Sequence, residues 1–162
     1  AVEAAMTGHL VFSTLHTNSA IGAISRLFEM GIEPFLLGAS LNTVLAQRLV
    51  RRIHEDCKVD YMPTESEQAE LERYGLKLEG PLKHGKGCDG CMETGYKGRT
   101  GIHELFVVSK ETRELIGKGV TDDQIEAQTQ QEGMQFLRED GLRKVLRGIT
   151  TLEEIYRVTV EA

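Results

Sequence analysis

Positive charge and long apolar runs are both scarce in this sequence. Its 19 Lys and Arg residues against 25 Asp and Glu residues leave a net charge of −6. This balance argues against nucleic acid as the main partner, because proteins that bind phosphate backbones usually carry a basic surface. No apolar run approaches the roughly 20 residues of a membrane-spanning helix. The first ten residues also lack the basic and apolar segments of a signal peptide. We therefore expect a cytoplasmic protein.

A phosphate-binding loop of the form G-x-x-x-x-G-K-[ST] is also missing. In such a loop, backbone N–H groups wrap the phosphates and a hydroxyl group binds Mg²⁺. Gly-Lys occurs at 85–86 and at 117–118, but a glycine follows each pair, so neither fits. An initiator methionine is absent too, and residues 1–6 are good helix formers. We interpret the start as a position within a longer protein, and we expect these residues alone not to hydrolyse a nucleotide.

The apolar segment His9–Thr14 is followed by the polar loop 15–18. Its Val and Phe residues predict a buried strand, at whose carboxyl end Ser, Thr, His and Asn side chains meet. Ligands bind at that edge of open α/β sheets, where imidazole and hydroxyl groups hydrogen-bond to phosphate or position a water molecule. The plain structural alternative is a capped loop with two incidental histidines.

The remaining pattern predicts an α/β protein with a mainly helical C-terminal third. Ser19 is expected to cap one helix and Pro34 to open the next, whose apolar face continues through Leu37, Leu41, Val44 and Leu45. A second strand is predicted over Ile102–Val108. The expected helix caps are Thr64 with Glu67, Ser109, Thr121, and Thr151 with Glu154. Leu152, Ile155 and Tyr156 are predicted to form the buried face of the last helix.

The segment Thr7-Gly8-His9-Leu10-Val11-Phe12-Ser13-Thr14-Leu15-His16-Thr17-Asn18 resembles the His box of the ATPase motors of type II secretion and type IV pilus assembly. That box is close to T-G-H-L-V-x-x-T-L-H-T-N. Residues 30–35, 45–52, 95–104 and 137–141 resemble further family segments, so the likeness covers essentially the whole chain and is weakest across 58–87.

The resemblance implies the C-terminal part of a RecA-like core that binds ATP and Mg²⁺ and forms a homo-hexamer in the full-length protein. It implies that His9 and His16 sense the γ-phosphate and that Thr14 orients the attacking water. The phosphate loop and the acidic strand of such motors would precede residue 1. The implied partners are inner-membrane platform proteins and cytoplasmic-domain proteins, which would hold the motor at the inner membrane.

Two pairs of metal-ligating residues, His54 with Cys57 and Cys88 with Cys91, lie on either side of residues 58–87. Each pair has the short spacing that lets two ligands share one tetrahedral Zn²⁺. The resembled family usually carries C-x-x-C twice, so His54 stands where a cysteine is expected. Imidazole is an equally suitable zinc ligand, and we expect a structural Zn²⁺ site. The alternatives are that His84 is the fourth ligand, or that the site has decayed to free thiols.

Four arginines near these motifs need an interpretation. Arg48 and Arg99 are candidates for neutralising nucleotide phosphate, whereas Arg51 and Arg52 are expected to pair with acidic residues.

We predict residues 1–53 as the end of the ATPase core, 54–101 as a zinc-binding subdomain, and 102–162 as a mainly helical region. The competing functions are a retraction motor of the same family, which generally lacks the metal ligands, and a zinc-stabilised interaction module without enzymatic activity.

Overall fold

A computed structural model describes residues 1–159 and shows an α/β fold. The chain divides into two compact units. The first comprises residues 1–46 and 104–135, and the second comprises residues 47–103 and 136–159. The predicted division into functional regions at residues 53 and 101 stays a prediction.

The helices and strands alternate irregularly along the chain. The helices are α1 (Val2–Met6), α2 (Gly22–Glu29), α3 (Pro34–Ser40), α4 (Glu65–Arg73), α5 (Lys110–Gly117), α6 (Asp122–Gln131), α7 (Leu137–Leu146) and α8 (Leu152–Val158). The strands are β1 (Thr43–Ile53), β2 (Lys58–Tyr61), β3 (Leu82–Gly85) and β4 (Tyr96–Val107). Strand β1 pairs with β4, and β2 pairs with β3. No helix among residues 1–159 is both long and apolar enough to cross a membrane.

The first unit is largely helical, and its helix ends follow local sequence signals. Pro34 opens α3 as predicted, because its missing N–H and fixed φ suit the first helical turn. The Ser19 hydroxyl accepts a hydrogen bond from the Gly22 N–H at 3.0 Å, where α2 begins. The Ser109 hydroxyl caps α5 by accepting from the Thr112 N–H at 3.0 Å. The core of this unit contains Ala20, Ile24, Leu37, Phe106, Ile116 and Ile125.

The predicted second helix is wrong beyond Ser40. Helix α3 ends there, and Val44 and Leu45 belong to the 11-residue strand β1. The apolar spacing through residue 45 fits a helix, but a short apolar run fits either element. In the structure Ala46 and Val50 are buried while Leu45 is 59% exposed. Pairing with β4 therefore decides the conformation of this segment, over its local pattern.

The predicted buried strand over His9–Thr14 is also wrong in this structure. These residues form no strand, and the side chains of Leu10 and Phe12 are 79% and 88% exposed. A strand needs a neighbour that satisfies its backbone N–H and C=O groups. The strands that the structure describes pair as β1 with β4 and β2 with β3, which leaves none paired with this segment.

The second unit contains the antiparallel pair of β2 and β3, in which Lys58 lies opposite Gly85 and Tyr61 opposite Leu82. Helix α4 lies between these strands in sequence, and the predicted capping box of Thr64 and Glu67 is confirmed at its start. Helices α7 and α8 pack together. A Cβ atom at Gly141 of α7 would lie 2.6 Å from Ile155 Cδ1, so the absence of a side chain permits this close packing. The apolar core of the unit includes Val50, Ile53, Leu71, Leu82, Leu142, Val145 and Ile155.

Glu154 of α8 carries a fully buried carboxylate. It was expected to complete a capping box with Thr151, but its side chain accepts from Arg51 N–H at 2.7 Å and from Arg51 Nε at 2.9 Å. Arg157 Nε and Nη2 also donate to it, at 2.9 and 2.8 Å. This pairing matches the predicted ionic role of Arg51. Tyr156, predicted to be buried, is 37% exposed, because this contact and Leu152 and Ile155 set the inward face of the helix.

The ion pairs of Glu154 make stability dependent on pH. Burial alone raises the pKa of Glu154, but hydrogen bonds from Arg157 and Arg51 outweigh burial and lower the pKa from 4.5 to about 2. A carboxyl whose pKa is lower in the folded state stabilises the fold above its unfolded-state pKa. This contribution is lost as the pH falls from about 4.5 towards 2.

We predict that Glu154→Gln lowers the free energy of unfolding at neutral pH by about 3 kcal/mol, because two arginines lose their buried partner. Urea titrations monitored by circular dichroism at pH 7, 5, 4 and 3 measure the effect. The wild type should lose stability over the acidic range more steeply than the variant. Glu153→Gln, at the exposed neighbouring position, is the control and should match the wild type. Equal stability of both variants at pH 7 would contradict the anchoring role of Glu154.

Candidate functional site: a cysteine and histidine cluster

Two short 3₁₀ helices, Glu55–Cys57 and Asp89–Cys91, deliver the predicted metal ligands. The strand pair β2–β3 brings them together, because the register of Lys58 opposite Gly85 places the residues flanking the strands side by side. Accordingly, the Lys86 N–H donates to the Cys57 carbonyl at 3.0 Å. The His54 N–H donates to the Gly95 carbonyl at 2.9 Å. Backbone hydrogen bonds therefore hold both ligand pairs from two sides.

Glycine is required at positions 85 and 95, where two chain segments next to the cluster approach each other. A Cβ atom built at Gly85 would lie 2.0 Å from the Gly95 carbonyl oxygen, and one at Gly95 would lie 2.3 Å from the Gly85 oxygen. Both distances are far below contact distance with backbone atoms that have no room to move. Gly95 also has a φ of +75°, which residues with a side chain rarely adopt. These glycines allow the backbone approach on which the cluster rests.

The structure brings His54, Cys57, Cys88 and Cys91 together, with one potential ligand atom from each within 4.8 Å of all the others. Cys91 Sγ lies 3.9 Å from Cys57 Sγ and 3.8 Å from Cys88 Sγ, so the thiols are free of disulfide bonds. Two sulfurs bound to a tetrahedral metal at roughly 2.3 Å are about 3.8 Å apart. The observed spacing therefore fits one metal ion held by all four side chains.

His54 is oriented for metal binding by residues that the sequence analysis missed. Its Nδ1 lies 3.3 Å from Cys88 Sγ, and its Nε2 lies 3.4 Å from Asp56 Oδ2 on the opposite side of the ring. A Cβ atom at Gly90 would lie 3.1 Å from the His54 ring, so the chain packs closely against the imidazole. A carboxylate on the second ring nitrogen fixes the tautomer of many metal-bound histidines. The one available signal was an acidic residue two positions after a candidate ligand.

The backbone around Cys91 favours a thiolate. Burial alone raises the pKa of the Cys91 thiol, but hydrogen bonds from the N–H groups of Cys88 and Gly95 outweigh burial, and the pKa falls to about 6. These donors lie 3.3 and 3.2 Å from Cys91 Sγ. For Cys57, burial raises the pKa of the thiol. Since the thiolate is the form that binds metal, the cluster has at least one ligand prepared for an ion.

His84, the rival fourth ligand, lies elsewhere in the same unit. Its ring packs edge-on against Tyr61 with ring centroids 5.5 Å apart, and it lines a pocket of ≈ 420 Å³ with Tyr96 and Thr151. The cluster found among the described residues contains His54 and does not contain His84.

The predicted His-box residues are less closely grouped. The exposed His16 lines a pocket of ≈ 290 Å³ together with Thr17, Asn18 and Ser19, and neither His9 nor Thr14 is among its lining residues. His9 is exposed, and its Nδ1 lies 3.2 Å from the Ala4 carbonyl oxygen. The roles of all three residues stay predictions.

The two arginines suggested for nucleotide binding differ in their exposure. Arg48 is half-buried and donates to the Gln47 carbonyl at 3.4 Å, while Arg99 is exposed. Their suggested contact with phosphate stays a prediction. Arg52 is exposed as well.

With these features described, comparison with known proteins identifies the family. Residues 1–157 match the family model for type II/IV secretion system proteins, and the chain belongs to this family. It is 52% identical over 99% of its length to the type IV pilus assembly ATPase PilB of Thermus thermophilus, covering 18% of that protein. It is 50% identical, over 99% of the chain, to type II secretion system protein E of Pseudomonas aeruginosa, and covers 32% of it. The chain thus spans a third or less of these relatives.

The fold also resembles a solved structure. The crystal structure of the pilus retraction motor PilT with bound ADP aligns with a TM-score of 0.63 over 99% of this chain and 35% of PilT. Sequence identity is 22%, so this likeness concerns the fold.

We predict that the purified chain holds one equivalent of metal and that His54→Ala weakens its binding by at least about tenfold, because a ligand is lost. Elemental analysis gives the content, and competition of Zn²⁺ with a chromophoric chelator gives the affinity. His84→Ala is the matched control, a histidine of the same unit outside the cluster, and should bind as the wild type does. The reverse order of the two variants would contradict the ligand assignment.

Proposed function

We propose that the chain is part of an ATP-hydrolysing motor that drives type II protein secretion or type IV pilus assembly. The observation that carries the proposal is near 50% identity to pilus assembly and secretion ATPases over 99% of this chain. Such identity over an entire chain implies a shared task as well as a shared fold.

We propose that residues of the His box take part in ATP hydrolysis. In this proposal His9 and His16 contact the γ-phosphate of ATP, Thr14 orients the attacking water, and Arg48 and Arg99 neutralise phosphate charge. The pocket that His16 lines supports the proposal that a ligand binds beside this residue. The phosphate-binding loop and the Mg²⁺-binding acid are proposed to lie in the part of the protein that precedes this chain. These 162 residues alone are therefore proposed to be inactive.

We propose a structural Zn²⁺ at the cysteine and histidine cluster. Three sulfur ligands and one imidazole are the donor set that tetrahedral zinc prefers, and the measured Sγ to Sγ distances of 3.8 and 3.9 Å fit it. Four protein ligands leave no position for a reactive water, so the ion would supply stability and no catalysis. It would tie residues 54–57 to residues 88–91.

The assembly or secretion branch is favoured over retraction. The named relatives near 50% identity are assembly and secretion proteins, whereas identity to the retraction motor PilT is 22%. The candidate metal ligands support the same choice. The His box argues against the other alternative, a stand-alone interaction module, which would need no such motif. A homo-hexamer, bound through partner proteins to the cytoplasmic face of the inner membrane, completes the proposal.

In the full-length motor, we predict that His16→Ala lowers kcat for ATP hydrolysis by about 10²–10³, with a smaller change in KM. The reason is that a donor to the γ-phosphate contributes most while charge shifts in the transition state. Steady-state phosphate release measures both constants. His103→Ala, which removes another exposed histidine, is the matched control and should retain activity. An unchanged kcat in His16→Ala would mean that this residue belongs to an ordinary capped loop.

A further inference from the structure

Glu104 is a buried carboxylate on β4, with 3% of its surface exposed. Its neighbour on the same face, Phe106, is 1% exposed, so the side chain lies on the inward face of the strand. Glu104 Oε1 accepts a hydrogen bond from the backbone N–H of Ala20 at 2.5 Å. Ala20 is itself fully buried. The contact joins the strand to a distant loop within the first unit.

A charged group at this position requires an explanation. Burying a carboxylate is unfavourable unless hydrogen bonds replace its hydration, and an apolar side chain would fill an inward-facing strand position at lower cost. Glu104 instead accepts from a backbone N–H group. This donor belongs to the main chain, so it does not depend on the side chain at position 20. The contact therefore fixes a point of the main chain.

That point lies at the end of the loop that carries His16. Residues 9–17 have no regular secondary structure, so few backbone hydrogen bonds hold them. Hydrogen bonds near Ala20 close the loop. The Thr17 hydroxyl donates to the Ser19 carbonyl at 3.0 Å, the Gly22 N–H donates to the Ser19 hydroxyl at 3.0 Å, and Glu104 accepts from Ala20. The same loop lines the pocket of ≈ 290 Å³ that contains His16.

We propose that Glu104 is a positioning residue that holds the loop of residues 16–20 and thereby sets the place of the His16 imidazole in its pocket. Only the catalytic consequence of this inference rests on the proposed ATPase function. The structural part concerns the chain itself and is tested without a nucleotide.

The first test is amide hydrogen exchange on the chain, comparing Glu104→Ala with Glu104→Gln. The Gln side chain keeps an acceptor oxygen for Ala20, whereas Ala removes it. We expect exchange across residues 16–22 to accelerate by at least about tenfold in the Ala variant, to stay near wild type in the Gln variant, and to be unchanged in β2 and β3. Glu114→Ala, an exposed glutamate of α5, is the control.

Two exchange patterns would overturn the proposal, and a third outcome concerns the Gln variant alone. One is unchanged exchange across residues 16–22 in the Ala variant, which would show that Ala20 needs no anchor. The other is equal acceleration throughout the chain in both variants, which would show a general loss of stability. The Gln variant keeps the test decisive if Ala folds poorly, because a Gln variant that folds but still frees the loop also contradicts the anchoring through Ala20.

The second test measures ATP hydrolysis in the full-length protein. Glu104→Ala should lower kcat by on the order of 10- to 100-fold with little change in KM, and Glu104→Gln should restore most of it, because misplacing a reacting group lowers the rate of the chemical step. A loosened loop with an unchanged kcat would contradict the catalytic role of His16 and leave the positioning intact. An unchanged loop with a reduced kcat would overturn the positioning and leave the proposed function intact.

Discussion

The meeting of His54, Cys57, Cys88 and Cys91 is the constraint on which the second unit depends. These residues come from two segments separated by residues 58–87, and few apolar side chains between them are buried. The hydrogen bonds from Lys86 to Cys57 and from His54 to Gly95 run around the cluster, and the contact of Gly85 with Gly95 lies beside it. Without an ion, three thiols and an imidazole would occupy space that apolar side chains could fill. A bound metal ion would instead hold these four side chains together and so stabilise the unit.

A second tie holds this unit near the end of β1 that leads into His54. There the buried carboxylate of Glu154 is shared between Arg51 and Arg157, and the Arg51 guanidinium also lies 4.1 Å above the Tyr96 ring. The Tyr96 hydroxyl in turn lies 2.8 Å from the Thr151 hydroxyl, at the start of α8. Polar contacts thus fasten the last helix to the strands that lead to the cluster. In the first unit, Glu104 has a comparable anchoring role, at the loop that contains His16. In each case a buried carboxylate accepts a hydrogen bond from a backbone N–H group.

Features set by short stretches of sequence were predictable, and features set by distant contacts were not. The caps at Thr64, Ser109 and Thr121 follow from a hydroxyl residue and its neighbours a few positions on, and all three are present. The grouping of the four candidate metal ligands follows from their spacing in the sequence. The strand β1 was missed because its conformation depends on pairing with β4, far along the chain. The roles of Glu104 and Glu154 were missed for the same reason, since no local pattern distinguishes a buried glutamate from the many exposed ones.

We propose that this chain carries one tetrahedral zinc bound by three sulfurs and one nitrogen, with His54 where the family pattern leads us to expect cysteine. X-ray absorption spectroscopy at the zinc edge, on the chain purified without chelator, tests it most directly. We expect a first shell of three sulfurs at roughly 2.3 Å and one nitrogen at roughly 2.0–2.1 Å, with the outer-shell scattering of a single imidazole. A shell dominated by oxygen and nitrogen, or a protein without zinc, would contradict it.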